Sequence, residues 1–229
     1  MKLKSLIFPF FYFFVFVSLC YGIYINNYRI MFICMFTLFL FLLIDFLIIF
    51  FNIKISFLLK FLIFLFLLCS EIFGEVYNLY SIVSYWDDVL HFVFGCVVSY
   101  IGCLFFNSFV KTVNNTSILI CFLFGICFSL SLGVCWEFIE YGFDKYLHSD
   151  MQKDTFLSKF NTSYFGSTND LTYVDDIIKT DIYTKNGVIS INKAYLDIGL
   201  CDTINDLFID FLGALSTSLY IGFCLSKKT

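Results

Sequence analysis

The most regular feature of this chain is a series of long apolar stretches separated by short polar segments. A helix needs about 20 apolar residues to cross the hydrocarbon core of a bilayer. The stretches therefore predict six membrane spans and an all-α, polytopic transmembrane bundle, in a single membrane domain over residues 1–229. The predicted spans are Ser5–Ile25, Ile30–Phe51, Ile55–Gly74, Val89–Phe109, Ile118–Phe143 and Thr203–Leu225.

A longer polar segment, residues 148–201, separates the fifth and sixth predicted spans. Within it, Asp181–Thr184 and Val188–Ile191 flank Lys185, Asn186 and Gly187. The two runs are rich in residues that favour strands, and Asn-Gly is a strong signal for a tight hairpin turn. The sequence predicts a small β-hairpin in this segment.

Composition supports the membrane assignment. The chain is 60% hydrophobic and 14% charged, whereas soluble domains are roughly 45–50% apolar and about 25% charged. The lipid bilayer is therefore the predicted partner, and the pattern identifies no protein partner. A net charge of −4 argues against a nucleic-acid partner. No C-x-x-C pair occurs among the ten cysteines, so no zinc-knuckle or redox motif is predicted.

The lysines predict how the chain is oriented. Short cytoplasmic loops of membrane proteins carry an excess of Lys and Arg. If the N-terminus is cytoplasmic, the short outer loops hold only Arg29, and both termini are cytoplasmic with residues 148–201 outside. The lysines then on the cytoplasmic side are Lys2, Lys4, Lys54, Lys111, Lys227 and Lys228.

The last three predicted spans carry ionisable residues at helical spacing. On each helix these residues fall within an arc of roughly 80–90°, and a rise of about 1.5 Å per residue places them close to the outer boundary. Small residues that allow close helix packing, Gly95, Gly133 and Gly213, are expected beneath them. Asp87 is expected to cap the fourth span and to point away. The residues predicted to converge are Asp88, His91, Glu137, Glu140, Asp206 and Asp210.

Acids gathered at low dielectric must share protons or bind a cation. Several carboxylates with one imidazole suit Mg, Mn or Zn, so all six converging residues are predicted metal ligands for a divalent cation. Three functions are compatible with this pattern. The first is a cation-dependent membrane enzyme acting on an envelope or lipid-linked substrate, and its candidate catalytic residues are His91, Glu137, Glu140 and Asp206.

The second function is a cation- or proton-coupled transporter, and the third is a non-catalytic scaffold whose polar cluster fixes helix registry. The enzyme is preferred because transport sites usually lie near the midplane of the bilayer. Two other charged residues, Asp45 and Lys60, fall at similar depth on adjacent antiparallel spans. They are predicted to form a structural ion pair.

Three motifs carry a family resemblance. They are residues 86–92 (WDDVLHF) with Gly95, residues 136–140 (WEFIE), and residues 202–206 (DTIND) with Asp210, Gly213 and Ala214. Together they resemble the YjdF-type family of uncharacterised bacterial inner-membrane proteins, with a fainter similarity to VanZ-like proteins. The resemblance covers about residues 86–214. It implies a multi-pass protein of the bacterial cytoplasmic membrane and supports the site residues, and it implies no reaction.

Overall fold

A computed structural model describes residues 2–50, 52, 55–109, 115–165 and 171–227. Phe51, which ends the predicted second span, lies outside the described residues. So do Lys54, Lys111 and Lys228, which contributed to the predicted orientation.

Within the described residues the chain forms seven α-helices, one π-helix and six short strands. The π-helix, Leu68–Val76, continues directly from α3. The α-helices are α1 (Lys2–Tyr24), α2 (Tyr28–Phe50), α3 (Phe57–Leu67), α4 (Leu79–Ile82), α5 (Trp86–Phe109), α6 (Asn115–Leu147) and α7 (Leu200–Ser226). The strands are β1 (Thr155–Leu157), β2 (Phe160–Thr162), β3 (Thr172–Val174), β4 (Lys179–Thr184), β5 (Gly187–Asn192) and β6 (Tyr195–Asp197).

Six of the described helical segments are long and apolar enough to cross a membrane. The predicted α-helical membrane bundle is therefore confirmed. Helices α5 and α6 extend past the predicted spans, because backbone hydrogen bonding continues into polar turns where the apolar pattern has ended. The spanning segments are Leu6–Tyr24, Tyr28–Phe50, Phe57–Val76, Trp86–Phe109, Thr116–Leu147 and Leu200–Ser226.

The chain divides into two compact units. The first comprises Met1–Leu132 and Ile209–Thr229, and the second comprises Gly133–Phe208. Helices α6 and α7 each contribute residues to both units. The single membrane domain inferred from the sequence stays a prediction.

Aromatic packing between α1, α2 and α3 forms the core of the first unit. The rings of Phe41 and Phe64 are stacked with centroids 4.3 Å apart, and Phe11 meets both rings edge-on. Edge-to-face and offset-stacked pairs are the favoured geometries of aromatic rings. The high phenylalanine content of the chain is thus used for specific ring contacts as well as for contact with lipid.

Asp45 and Lys60 form the predicted ion pair beside this aromatic core. The Lys60 ammonium contacts one carboxylate oxygen of Asp45, and the Tyr12 hydroxyl donates a 3.0 Å hydrogen bond to the other oxygen. The same ammonium lies 4.3 Å from the centroid of the Phe8 ring. Asp45 therefore has a cation and a hydrogen-bond donor within its own unit, and the predicted pair is confirmed.

Helices α5 and α7 approach closely within the first unit. A Cβ atom added at Gly95 would lie 2.2 Å from the carbonyl oxygen of Asp210, and one added at Gly213 would lie 2.2 Å from that of Phe92. Only glycine fits such a backbone contact. Deeper in the same contact, the buried hydroxyls of Ser99 and Ser218 lie 2.7 Å apart. The predicted packing role is confirmed for Gly95 and Gly213, and that of Gly133 stays a prediction.

In the second unit the strands form three two-stranded antiparallel sheets, β1–β6, β2–β3 and β4–β5. The β4–β5 pair is the predicted hairpin, and its register pairs Thr184 with Gly187. The turn residues are thus Lys185 and Asn186, and the unusual positive φ of +134° falls on Gly187. The pairs β1–β6 and β2–β3 had no turn signal in the sequence, because residues that are distant along the chain form them.

Two carboxylates anchor the polar segment to the ends of α6 and α7 in this unit. Asp144 accepts hydrogen bonds from the backbone N–H groups of Met151 and Gln152, at 2.7 and 2.8 Å. Asp202, in the first turn of α7, accepts a 2.7 Å hydrogen bond from the N–H of Lys153. The chain that leaves α6 is therefore fastened to both helices.

Candidate functional site

Helix α6 places two acids on one buried face. Glu137 and Glu140 are three residues apart, so their side chains lie on the same side of the helix. Their residues are 4% and 7% exposed, whereas Phe138 between them is 70% exposed. The helix thus turns its acids toward protein and its aromatic side chain outward.

Helix α7 brings a third acid to the same place. Asp206 is 1% exposed, and one carboxylate oxygen of each of Glu137, Glu140 and Asp206 lies within 4.8 Å of the other two. All three residues belong to the second unit. We call these three residues the carboxylate trio. The Trp136 indole donates a 2.8 Å hydrogen bond to Oε1 of Glu140, which helps to fix the orientation of that carboxylate.

The chemistry of the trio follows from its charge. Three carboxylates so close together repel one another when all are ionised, and this repulsion is screened poorly away from water. Oxygen donors of one bound divalent ion lie about 3–4 Å apart, so a small inward movement of the side chains brings the trio to coordination distance. The trio therefore suits a hard or borderline divalent cation.

A second polar group lies in the first unit, around His91. Its Nδ1 is 3.4 Å from Oδ1 of Asp210, and its Nε2 is 3.7 Å from Oδ1 of Asp87. His91 and Asp210 are both buried. An imidazole that lies between two carboxylates suits proton transfer or ligand binding. We call these residues the histidine group.

The six predicted ligands thus have different outcomes. Glu137, Glu140 and Asp206 converge, as do His91 and Asp210. Asp88 lies half-buried in the first turn of α5, and its role as a ligand stays a prediction. So does the binding of one ion by all six residues.

Asp87 is the residue that sequence reasoning missed. It was expected to cap the helix and point away, yet it lies beside His91. The spacing does give a signal for this contact, because positions four apart lie on the same face of a helix. Its helix-opening position made a capping role the simpler interpretation.

Comparison with known protein families gives a match. The model of a family described as "Predicted membrane protein (DUF2238)" matches residues 7–227. The chain belongs to the DUF2238 family. No curated protein and no solved structure matches it.

Membership of the DUF2238 family agrees with the six apolar helices and the multi-pass membrane character of the chain. The matched range includes every residue of the carboxylate trio and of the histidine group. The resemblance to the YjdF-type and VanZ-like families stays a prediction.

Proposed function

We propose that this protein binds a divalent cation through Glu137, Glu140 and Asp206 and acts as a cation-dependent membrane enzyme. The observation that carries the proposal is the approach of three buried carboxylates within 4.8 Å of one another. A cation of charge +2 offsets most of their charge and supplies the electrophile that such an enzyme needs. Mg, Mn and Zn all accept carboxylate ligands.

The position of the trio along its helices favours an enzyme over a transporter. At about 1.5 Å per residue, Glu140 lies roughly 10 Å from the end of α6 at Leu147, and Asp206 roughly 9 Å from the start of α7 at Leu200. The polar segment joins these two helix ends. Transport sites usually lie near the middle of their spans, whereas a site near one face is accessible to a substrate at the membrane surface. We propose an envelope or lipid-linked substrate.

The proposed setting is the bacterial cytoplasmic membrane, with both termini cytoplasmic and the polar segment outside. The lysine distribution supports this orientation. A cysteine introduced at Thr229 should then resist a membrane-impermeant thiol reagent in intact cells, and one at Asn186 should react, each measured against the wild-type background. The reverse pattern would place the trio at the cytoplasmic face.

Binding of the cation is tested by its effect on the unfolding temperature. A ligand that binds only the folded protein raises its unfolding temperature. We expect Mg, Mn or Zn added after chelation to raise the unfolding temperature of the wild type. The effect should be lost in Glu137→Gln and kept in Asp181→Asn, which changes an exposed carboxylate of the β4–β5 hairpin. Equal responses in both variants would refute the proposed site.

A further inference from the structure

The third span ends in a π-helix that carries its own partly buried acid. Leu68–Val76 forms nine residues of π-helix, whereas most π-helical segments are single turns and many lie at functional sites. Glu71 lies within it, five residues before the spanning segment ends at Val76. An acid within a span is costly and is usually retained for a function.

Hydroxyl groups connect Glu71 to a tyrosine on the next helix. The Ser70 hydroxyl donates a 3.1 Å hydrogen bond to Oε1 of Glu71, and it lies close to the Tyr80 phenol. Tyr80 holds its position because its ring packs on Gly74, where an added Cβ would lie 2.3 Å from Cε2 of the ring. A carboxylate, an alcohol and a phenol thus lie next to one another, and all three can carry a proton.

The phenol lies among negative charges of two helical elements, the π-helix and α5. Burial raises the pKa of Tyr80, and the charges of Asp87, Glu71 and Glu75 raise it further, whereas the neighbouring Ser70 hydroxyl lowers it. A neutral phenol can donate its proton to a neighbour while it accepts another. Tyr80 therefore suits the role of a relay group.

Glu75, on the same π-helix, is neutralised differently. Nη2 of Arg29, at the start of α2, lies 2.5 Å from its carboxylate, and 33% of the Glu75 side chain is exposed. The π-helix therefore carries two acids four residues apart. Glu75 has an arginine partner, and Glu71 has a hydroxyl partner. Glu75 is a matched control for Glu71.

We propose that Glu71 is a proton-exchange site, with Ser70 and Tyr80 as the relay that connects it to water. In one transfer, Ser70 gives its hydroxyl proton to Glu71 and receives one from Tyr80, which is reprotonated by water. Each hop breaks one O–H bond and forms another, so the net change is one proton moved from water to the carboxylate. The charged groups beside the relay are Glu75, which acts on both Glu71 and Tyr80, and Asp87, which acts on Tyr80. Arg29 pairs with Glu75.

This proposal does not depend on the carboxylate trio, because every residue in it belongs to the first unit. Its test uses dicyclohexylcarbodiimide, an apolar reagent that modifies protonated carboxyl groups inside membranes. The full-length protein in liposomes is treated over a series of pH values, digested and mapped by mass spectrometry. Parallel samples contain sodium chloride or choline chloride.

We expect an adduct on Glu71 and none on Glu75. The rate at which the Glu71 adduct forms should fall about tenfold per pH unit once the Glu71 carboxyl is mostly ionised. This rate should be the same in sodium chloride and in choline chloride. Glu71→Gln should remove the adduct and Glu75→Gln should keep it, and Glu71→Gln should leave cation binding by the trio unchanged.

Three outcomes would overturn the proposal. The first is an unmodified Glu71 while other carboxyl groups of the same sample are labelled. The second is equal labelling of Glu71 and Glu75, which would remove the distinction between them. The third is protection of Glu71 by sodium at constant pH, which would make the ligand a sodium ion instead of a proton.

Discussion

The Asp45–Lys60 pair and the carboxylate trio both lie within helices, and their charges are balanced in different ways. In the first unit Asp45 is matched by the Lys60 ammonium and by the Tyr12 hydroxyl. In the second unit the carboxylate trio gathers three groups of one sign. In the first arrangement the opposite charges balance within the chain. The second gains stability from protons or a cation, so only the second has the character of a binding site.

This contrast predicts opposite effects when one charge is removed from each group. The largest effect is expected at the ion pair. Lys60→Met leaves the Asp45 carboxylate without its cation in a largely apolar setting, and should lower the free energy of unfolding by about 2–4 kcal/mol. Asp45→Asn should be similar, and the double variant should recover part of the loss. Thermal unfolding of the four proteins gives the coupling energy.

The control is the exposed pair formed by Lys179 and Asp181, whose side chains are 47% and 28% exposed. Surface pairs contribute about 0–1 kcal/mol, so Lys179→Met should change stability little. If the stability losses of the Asp45 and Lys60 single variants simply add in the double variant, the contact between the two residues contributes no coupling energy.

At the carboxylate trio, removing one charge should change the free energy of unfolding in the opposite direction. In the presence of a chelator, Glu137→Gln removes one of three like charges and should raise the free energy of unfolding, by roughly 1–3 kcal/mol. With a saturating divalent cation the same change should destabilise the protein, because a ligand is lost. Unfolding temperatures with and without the cation test both signs. Destabilisation under both conditions would indicate a structural role instead.

Trp136 permits a finer test of the trio. Its indole donates a hydrogen bond to Glu140, and groups that orient metal ligands typically change metal affinity about 10–100-fold. Trp136→Phe keeps an aromatic ring and removes the donor, so cation affinity should fall about tenfold. Calorimetric titration with Mn measures the change. An unchanged affinity would show that Glu140 is oriented by other contacts.

The same contrast recurs on a smaller scale outside the spans. The pKa of Asp181 is lowered by hydrogen bonds from Lys179 and Ser190. That of Asp154 is raised by burial and by the charges of Asp150, Asp144 and Asp197. The stability due to Asp181 is therefore present above its unfolded pKa and lost as pH falls through its folded pKa.

For Asp154 the pH dependence is opposite. Its contribution to stability is present below its unfolded pKa and is lost as pH rises through its folded pKa. Carboxyl NMR should give midpoints on either side of the ordinary value of about 3.9. The reverse order of the two midpoints would contradict this account of their surroundings.

The sequence predicts the parts of this fold that depend on local pattern. Six apolar stretches give six helices, because a span must satisfy its backbone hydrogen bonds internally. The hairpin follows from turn chemistry and alternation. Glu137 and Glu140 could be paired from their spacing, and Asp45 and Lys60 from their matching depth on neighbouring spans.

Other features depend on contacts that a single sequence does not encode locally. The π-helix follows no hydropathy signal, and it determines the surroundings of Glu71. The role of Asp87 beside His91 competes with helix capping, which uses the same residue type at the same position. The β1–β6 and β2–β3 pairs join residues far apart in the chain. In each case tertiary packing selects one of several locally acceptable structures.

The central claim is that the carboxylate trio holds a divalent cation, and elemental analysis of the purified protein tests it most directly. The account predicts about one Mg, Mn or Zn ion per chain in the wild type and in Asp181→Asn, and its loss in Glu137→Gln. The claim would be contradicted if the wild type and both variants were folded and stable and all three samples were equally free of divalent metal.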